Sequence, residues 1–287
     1  MMQKINKTGL IAILILNVVF NATLTFSQQI NSKGKLFIIG GGSRPSSMVD
    51  RIIKESGLDK GGYGIVLPMS SAEPDSAVYY AKGQFTKLGI DKIYGLQFVK
   101  DEKLTKTKLD SIKNAKLIYI SGGDQNRFME VVEGTEIEKA IHEAYQNGSL
   151  VGGTSAGAAV MSKVMITGNE LKHPDYNSTF RNLESENIET KTGLGLITNV
   201  IIDQHFVKRS RYNRLLTAII EFPEMTGIGI DEATAILVKG NTIEVVGESQ
   251  VIIFKNSRKT LEKQNGKLGA KGILLDIYLP GEIFTLN

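Results

Sequence analysis

The chain has 287 residues, of which 41% are hydrophobic and 22% are charged, and it carries a formal net charge of +4. This is the balance of a globular protein with enough length for a substantial core, and no block of Lys and Arg supports binding to nucleic acid or to a membrane surface. The sequence contains no cysteine, which excludes disulfides, thiolate metal sites and a cysteine nucleophile, so covalent chemistry must use oxygen or nitrogen nucleophiles.

The first residues are typical of a secretory signal peptide. Lys4 and Lys7 lead into an apolar run at residues 10–20, and small polar residues follow it as far as Ser27. A retained membrane anchor is the alternative, but the run is short for a membrane span and Asn17 interrupts it. We therefore expect cleavage near Ser27 and export to the periplasm or the medium.

This cleavage would divide the chain into a signal peptide at residues 1–27, a linker at residues 28–34 and a single domain at residues 35–287. It would remove two lysines and no acidic residue, so that 32 basic and 30 acidic residues remain, a net charge of +2. The basicity of the whole chain belongs partly to the leader, and we expect no stable membrane association after cleavage.

Apolar runs that end in small residues recur through the first half of this domain. They comprise residues 35–39 before Gly40-Gly41-Gly42, residues 64–68 before Ser70-Ser71, residues 116–120 before Ser121-Gly122-Gly123, and residues 148–152 before Ser155. Amphipathic segments such as residues 76–88 and 137–147 separate them. This alternation predicts βαβ units and an α/β fold with a mainly parallel twisted sheet and flanking helices. In such sheets, ligands bind beyond the carboxyl ends of the strands.

The last part of the chain changes character. Residues 235–238 turn at Lys239-Gly240-Asn241 into residues 242–246, which predicts a C-terminal β-hairpin added to the sheet edge. Residues 172–194 lack periodicity and predict a long excursion, whereas residues 255–271 are rich in Lys, Asn and Gly and predict a mobile loop.

Ser155 is the candidate nucleophile. It lies between Gly153 and Gly157, after an apolar strand and before a run of small apolar residues. Glycines at these positions relieve crowding in a sharp strand-to-helix turn, which exposes the serine hydroxyl at a helix N-terminus where N–H groups and the helix dipole stabilise an oxyanion. A tight glycine turn with a capping serine would explain the pentapeptide equally well.

A serine nucleophile needs a base, and the chain offers three histidines. His142 lies in a surface-helix pattern, where we expect it to face solvent, and His173 lies in the aperiodic excursion. His205 follows the apolar strand at residues 199–204, whose end should meet the same rim of the sheet as Ser155. Position therefore selects His205.

The base in turn needs an acid that orients its ring. The apolar run at residues 227–230 ends in Asp231 and Glu232, and because side chains alternate along a strand, only one of the two should face His205. Glu170, beyond the run at residues 164–168, is a competing acid. These residues alone leave the choice open.

Four blocks of the sequence together resemble the serine peptidase family that includes cyanophycinase and the aspartyl dipeptidase called peptidase E. They are Ser121-Gly122-Gly123-Asp124-Gln125, then residues 152–158 around Ser155, then Asp203-Gln204-His205-Phe206 with Arg209, Arg211 and Arg214, and finally residues 229–235 around Glu232. The resemblance extends from Phe37 to the end of the chain. Its first and third blocks look like cyanophycinase more than like peptidase E.

The resemblance implies a Ser-His-Glu triad, which falls on Ser155, His205 and Glu232, and a glutamine-amidotransferase-like fold. It also places six residues around the substrate pocket: Gln125, Asp203, Gln204, Arg209, Arg211 and Arg214. Arginines can bind carboxylates bidentately. On an ideal helix after residue 206, however, Arg211 and Arg214 would point away from the face that His205 and Arg209 share.

The expected chemistry is acyl transfer through Ser155, with the oxyanion held by the N–H groups of Ala156 and of the turn at Gly123 and Asp124. No cofactor is required, and three dispersed histidines without cysteine offer no obvious metal site. We therefore expect no metal.

The resemblance implies an exported serine peptidase that hydrolyses β-aspartyl peptide bonds. Cyanophycinase-like enzymes release β-Asp-Arg dipeptides from a polymer that has a polyaspartate backbone and arginine side groups, and such a polymer or a related peptide is the expected partner. Two alternatives are a general aspartyl or isoaspartyl dipeptidase and a non-catalytic peptide-binding protein on the same fold. Family members suggest a homodimer.

Overall fold

A computed structural model describes residues 32–175 and 180–286 of the chain. The predicted signal peptide, residues 1–27, and most of the predicted linker lie outside the described residues. Within the described ranges, no helix is both long enough and apolar enough to cross a membrane.

The described residues form sixteen strands and seven α-helices. In chain order the strands are β1 (Lys35–Ile39), β2 (Gly64–Leu67), β3 (Ile93–Gly95), β4 (Leu117–Ile120), β5 (Leu150–Thr154), β6 (Val164–Glu170), β7 (Ile188–Thr192), β8 (Val200–Gln204), β9 (Thr226–Ile230), β10 (Thr234–Lys239), β11 (Thr242–Gly247), β12 (Val251–Asn256), β13 (Glu262–Gln264), β14 (Lys267–Gly269), β15 (Ile273–Tyr278) and β16 (Ile283–Thr285). The helices are α1 (Ser46–Ser56), α2 (Pro74–Thr86), α3 (Lys106–Lys113), α4 (Gln125–Val132), α5 (Glu136–Asn147), α6 (Ala156–Ala159) and α7 (Tyr212–Glu221).

The larger sheet has eight strands in the order β16-β11-β10-β1-β5-β4-β2-β3. The strands from β1 to β3 in this order are parallel, and β10, β11 and β16 extend the sheet with antiparallel pairing beyond β1. This arrangement confirms the predicted α/β class, with a mainly parallel sheet, flanking helices and C-terminal strand additions. The predicted hairpin at residues 235–246 is formed by β10 and β11.

The central strands are continuous apolar runs because both faces of the sheet are covered. On one face, Phe37 and Ile39 of β1 pack in a core with the apolar sides of α1 and α2. On the other face, Leu36 and Ile38 pack with α3, α4, α5 and the inner residues of a second sheet. Glu55 also joins α1 to the sheet through ion pairs with lysines of β1 and β10.

The second sheet has four strands in the order β15-β12-β9-β8, with β8 and β9 parallel. Its outer face is covered by α7, which packs on Ile201 and Ile252 through Leu215 and Ile219. The strand that leads to His205 therefore belongs to this sheet and not to the rim of the larger one. The excursion at residues 172–194 includes β7, which pairs with β6, and the segment predicted as a mobile loop contains the β13–β14 hairpin.

The two sheets meet at the glycine turn that follows β1. The N–H of His205 donates to Gly40 O at 2.7 Å, and the N–H of Ala233 donates to Gly41 O at 3.0 Å. These backbone bonds hold the carboxyl ends of β8 and β9 against the carboxyl end of β1. Since β5 lies next to β1, the same turn brings the ends of β8 and β9 towards Ser155.

Candidate active site

Ser155 occupies a sharp turn between β5 and α6. Its backbone angles are φ 54° and ψ −111°, a region that residues with a side chain rarely adopt, and such strain is typical of a nucleophile elbow. A Cβ on Gly153 would lie 2.3 Å from Gly157 O, and a Cβ on Gly157 would lie 2.3 Å from Ile120 O. The turn therefore requires both glycines. Because α6 has only four residues, oxyanion stabilisation must come from individual N–H groups more than from the expected helix dipole.

Ser155, His205 and Glu232 form a continuous hydrogen-bonded chain. Ser155 Oγ lies 2.8 Å from His205 Nε2, and His205 Nδ1 lies 2.6 Å from Glu232 Oε1. An ionised carboxylate only accepts hydrogen bonds, so Nδ1 carries the imidazole proton and Nε2 is left to accept from the Ser155 hydroxyl. This is the protonation pattern that a general base requires.

The surroundings of His205 favour its neutral form. Burial lowers the pKa of the imidazole below its usual value, the hydrogen bond to Glu232 opposes this shift, and the charges of Arg209 and Arg211 lower the pKa further. A neutral imidazole near pH 7 can accept the serine proton.

The other two candidate acids point elsewhere. Asp231 accepts from the Lys208 N–H at 2.9 Å and from the Ser249 hydroxyl at 2.8 Å. Glu170 accepts from the side-chain amide of Asn187 at 2.8 Å. Neither carboxylate contacts His205, so of the three acids only Glu232 lies at the imidazole.

The predicted oxyanion donors surround Ser155, but they are not equivalent. The N–H of Asp124 donates to Ser70 O at 2.8 Å, and its side chain caps α4 by accepting from the Asn126 N–H at 2.8 Å. Within the described chain, the N–H groups of Ala156 and Gly123 have no such acceptor. Asp124 N–H is therefore already engaged, which leaves Ala156 and Gly123 as the available donors.

A cavity of about 290 Å³ opens beside Ser155. Five of the six residues predicted around the pocket line it, and all of these except Arg209 are buried: Gln125, Gln204, Arg209, Arg211 and Arg214. Asp124 and Glu170 also line it. The cavity thus presents cations and carboxylates together.

Asp203, the sixth predicted pocket residue, forms buried ion pairs with two of the arginines. Its side chain is 0% exposed and does not line the cavity. Arg214 donates to both carboxylate oxygens, one of them through Nε at 2.9 Å, and Arg211 Nη1 lies 3.7 Å from Oδ1. Because it is buried beneath the arginines, Asp203 orients them and does not itself line the cavity, where the resemblance had placed it.

The three arginines differ in their exposure and in their hydrogen-bond partners. Arg211 donates through Nη1 to both the backbone and the side-chain oxygen of Gln204, each at 2.7 Å. Arg209 is exposed, and no carboxylate of the described ranges pairs with it. The predicted helix begins only at Tyr212. Arg209 and Arg211 lie in the turns before it, which is why helical spacing misplaces them.

Gln125 is fixed by its amide. Nε2 donates to Ile166 O at 3.0 Å and to Thr167 O at 2.6 Å. The side chain therefore joins the first turn of α4 to β6, and its carbonyl oxygen is the atom left for a ligand.

Several residues that shape the site carry no sign of this role in the sequence. Gly41 and Gly42 were noted only as a strand end, yet a Cβ on Gly41 would lie 2.3 Å from His205 Cε1 and one on Gly42 would lie 2.9 Å from Glu232 Oε2. Asn169 of β6 and Phe180 of the aperiodic region also line the cavity. No pattern in the sequence marks these two residues.

The remaining histidines lie outside this cavity. His142 is half-buried, and its Nε2 lies 2.7 Å from Leu194 O, so it does not simply face solvent as predicted. His173 Nε2 lies 2.8 Å from Glu184 Oε2. Neither side chain contacts Ser155.

The chain is similar to several known peptidases. It is 31% identical over 232 residues to the cyanophycinase of a Nostoc species, covering 78% of this chain and 75% of the relative. It is 33% identical over 210 residues to the cyanophycinase of Geminocystis herdmanii, covering 72% of this chain and 74% of that relative. The crystal structure of a peptidase from an acI-B1 actinobacterium shares the fold, with a TM-score of 0.64, 22% identity and coverage of 90% of this chain and 99% of that one.

These similarities, together with the fold, define the class of the protein as a serine-type peptidase. The family model described as Peptidase family S51 matches residues 36–246. The chain therefore belongs to Peptidase family S51, and within it resembles the cyanophycinases, as the sequence blocks predicted.

Proposed function

We propose that this peptidase hydrolyses peptides that contain β-linked aspartate, in particular cyanophycin to β-Asp-Arg dipeptides, through a Ser155-His205-Glu232 triad. The observation that carries the proposal is the hydrogen-bonded chain from Ser155 to Glu232 beside a cavity of mixed charge. A β-Asp-Arg unit has a carboxylate and a guanidinium, and the cavity offers Arg209 for the first and the carboxylates of Asp124 and Glu170 for the second.

In the proposed reaction, Ser155 Oγ attacks the scissile carbonyl carbon while its proton passes to His205 Nε2. The N–H groups of Ala156 and Gly123 donate to the oxyanion. His205 then gives the proton to the leaving nitrogen, the C–N bond breaks and an acyl-enzyme ester remains. Water attacks this ester, its proton passes through His205 to Ser155 Oγ, and the acid product leaves.

The product defines which bond is cut in the polymer. A released β-Asp-Arg dipeptide retains its own β-linkage, so the amide that Ser155 attacks in cyanophycin is the backbone bond beside a β-linked unit. In shorter peptides, the same pocket would accept β-aspartyl bonds themselves.

The test is product analysis by mass spectrometry after incubation with purified cyanophycin, with Ser155→Ala as the matched inactive control. We expect β-Asp-Arg from the wild-type protein and none from the variant, which should retain its fold and bind ligand because only one oxygen atom is lost. Retained turnover by Ser155→Ala would end the proposed mechanism. Absence of β-Asp-Arg with a reactive serine would end the cyanophycin assignment.

A general aspartyl or isoaspartyl dipeptidase is the second candidate. It is favoured by the similarity to the Peptidase E of a Nostoc species, which is 24% identical over 152 residues and covers 53% of this chain and 61% of that protein. Short α- and β-aspartyl peptides, incubated beside the polymer, separate the two candidates. A preference for the α-linked or β-linked dipeptides over the polymer would favour the dipeptidase.

Export is part of the proposal and rests on the charged, apolar and small-polar pattern of residues 1–27. An exported enzyme would act on polymer released by other cells. N-terminal sequencing of protein recovered outside the cytoplasm should begin near Gln28. A mature protein that begins at Met1 would contradict export by cleavage.

We also propose a homodimer, with β15 at its interface. This strand is the edge of the second sheet, and its side chains Leu274, Leu275 and Ile277 are 53%, 48% and 59% exposed. An exposed apolar edge strand pairs readily with another copy of itself. Sedimentation velocity should show a dimer for the wild-type protein and a monomer for Leu275→Lys. A wild-type monomer would contradict the proposal.

A further inference from the structure

A second cavity, of about 200 Å³, lies on the other side of Ser155. Its walls comprise the turn after β1, the α2 side chains Tyr80 and Gln84, and the ends of β4 and β5 at Tyr119 and Thr154. Ser155 lines both cavities, and His205 lines only this one. A substrate whose scissile bond lies at Ser155 therefore has one side in each cavity.

The position of His205 decides which cavity holds the acyl side of the substrate and which holds the amine side. The leaving nitrogen must receive its proton from the same imidazole nitrogen that accepted the serine proton. The first cavity is lined by Gly123, a proposed oxyanion donor, whereas the second is lined by the imidazole. The acyl side of the substrate thus belongs in the first cavity and the amine side in the second.

Arg44 gives the second cavity a positive charge. Its Nε donates to Gln84 Oε1 at 2.6 Å and its Nη1 donates to Gly42 O at 3.1 Å, while Gln84 Nε2 donates to Tyr80 O at 3.1 Å. Among the described residues, no carboxylate pairs with Arg44, and none lines the cavity. The guanidinium is therefore oriented by neutral acceptors, and its charge is not compensated.

Two buried hydroxyls beside this charge point to a polar ligand. Tyr119 and Thr154 are 3% and 7% exposed. Apart from an interaction with each other that falls short of normal hydrogen-bond geometry, neither hydroxyl has a partner among the described residues. Burial raises the pKa of Tyr119, while the charge of Arg44 opposes the rise. The hydroxyl therefore stays protonated and can donate to an anionic group. Buried polar groups without good partners are uncommon in folded proteins, and a polar ligand in this cavity would supply partners for both hydroxyls.

From this arrangement we propose that the second cavity binds the residue on the amine side of the scissile bond, and that Arg44 binds a carboxylate of that residue. This rests on the proposed peptidase function and adds a selectivity to it. The first cavity contains both signs of charge and suits a zwitterionic unit, whereas the second contains only a cation and neutral hydroxyls. The carboxylate can be the free C-terminus of the substrate or an acidic side chain at that position.

The experiment compares three peptides with the same β-aspartyl acyl unit and different leaving groups: alanine as the free acid, alanine amide, and aspartate amide. The first has a terminal carboxylate, the second has none and the third has only a side-chain carboxylate. For wild-type protein, we expect kcat/KM for one of the two acids to exceed that for alanine amide by roughly 10- to 100-fold. The reason is that only an acid can form a hydrogen-bonded charge pair with Arg44. The acid that is preferred identifies the source of the carboxylate.

Arg44→Gln should remove this advantage, so that kcat/KM for the preferred acid falls to about the level for alanine amide in the same variant. Arg44→Lys should restore part of it, because lysine keeps the charge but lacks the planar fork. Arg258→Gln, at an exposed arginine that lines neither cavity, is the matched control and should behave as wild type. If wild-type protein does not distinguish acids from the amide, or if Arg44→Gln slows all three peptides equally, the proposal is wrong. Equal slowing would show that Arg44 acts on the triad through Gly42.

A second measurement separates failure of the subsite from failure of the peptidase function. A fluorophosphonate labels the Ser155 hydroxyl without any peptide leaving group, and dipeptide acids that occupy the second cavity should slow this labelling. If none of the three peptides is cleaved, the peptidase proposal fails. Protection by a dipeptide acid in wild type but not in Arg44→Gln would still support the subsite, whereas equal or absent protection would overturn it.

Discussion

Replacement of Glu232 by Gln removes the negative charge at His205 and changes almost no volume. Asp231→Asn is the matched control, since Asp231 is the neighbouring carboxylate and contacts Lys208 and Ser249 but not His205. If Glu232 stabilises the imidazolium that forms during proton transfer, the first variant should lose activity and the second should keep most of it. Glu170→Gln completes the set, because it tests the remaining candidate acid.

The size of the loss follows from the exposure of the carboxylate. In serine proteases with a fully buried triad aspartate, the acid-to-amide change lowers kcat by about 10⁴. The Glu232 side chain is 30% exposed, so solvent screens part of its charge. We therefore expect kcat/KM to fall roughly 10²- to 10³-fold, which corresponds to about 2.7–4 kcal/mol of transition-state stabilisation at about 1.36 kcal/mol per tenfold. For Asp231→Asn, kcat/KM should fall less than about tenfold.

The assay is kcat/KM on a β-aspartyl peptide across pH, with fluorophosphonate labelling of Ser155 as a substrate-independent measure. The hydrogen bond and charge of Glu232 raise the pKa of His205 against the effect of burial. The acid limb of the profile should therefore move to lower pH in Glu232→Gln while the plateau falls. Full activity of Glu232→Gln, or a larger loss of fluorophosphonate labelling in Asp231→Asn or Glu170→Gln, would refute the assignment.

Three further predictions concern charges around the site and the core. Arg209→Gln removes a cation that lowers the pKa of His205, so the acid limb of kcat/KM should move to higher pH, whereas Arg209→Lys should leave it in place. Asp203→Asn leaves Arg214 buried without its counter-charge and should lower the free energy of unfolding by about 3–5 kcal/mol in urea titrations, with unchanged stability as the contrary outcome. Although burial opposes the shift, hydrogen bonds from its lysine partners lower the pKa of Glu55 to about 2 from 4.5. Glu55→Gln should therefore cost about 1–2 kcal/mol near pH 7. The difference in the free energy of unfolding between Glu55→Gln and wild type should narrow as pH falls from 4.5 towards 2. A difference that widens would contradict this prediction.

Local sequence patterns were sufficient to predict the larger sheet and the sharp turn at Ser155. The strands β1, β2, β4 and β5 are continuous apolar runs bounded by glycine or serine, and such runs identify buried parallel strands without any knowledge of their partners. The glycines around Ser155 define the turn by themselves, because no side chain fits at either position. Burial and steric exclusion are local properties, and they can be predicted from local sequence.

The division into two sheets could not be predicted in this way. β8 and β9 have the same apolar composition as the strands of the larger sheet. That β8 pairs with β9 and β9 with β12, and neither with β1, depends on contacts distant in sequence. The role of Asp203 was missed for a similar reason. Its pattern places it at a strand end, but its position beneath Arg214 depends on where α7 begins. Asp124 was assigned as an oxyanion donor because nothing in the sequence shows that Ser70 O already accepts from its N–H.

The division into two sheets bears directly on the proposed triad. Ser155 belongs to the larger sheet, whereas His205 and Glu232 follow strands of the second, so the distance from serine to imidazole depends on how closely the sheets approach. That approach is fixed by backbone hydrogen bonds from His205 and Ala233 to the glycine turn after β1. A side chain at Gly41 would occupy the position of the imidazole ring, because its Cβ would lie within 3 Å of three ring atoms. The glycine turn that the sequence marks only as the end of a strand therefore sets the spacing between Ser155 and His205. This explains why the turn and the Ser155 elbow, more than 110 residues apart in the sequence, act as a single structural unit.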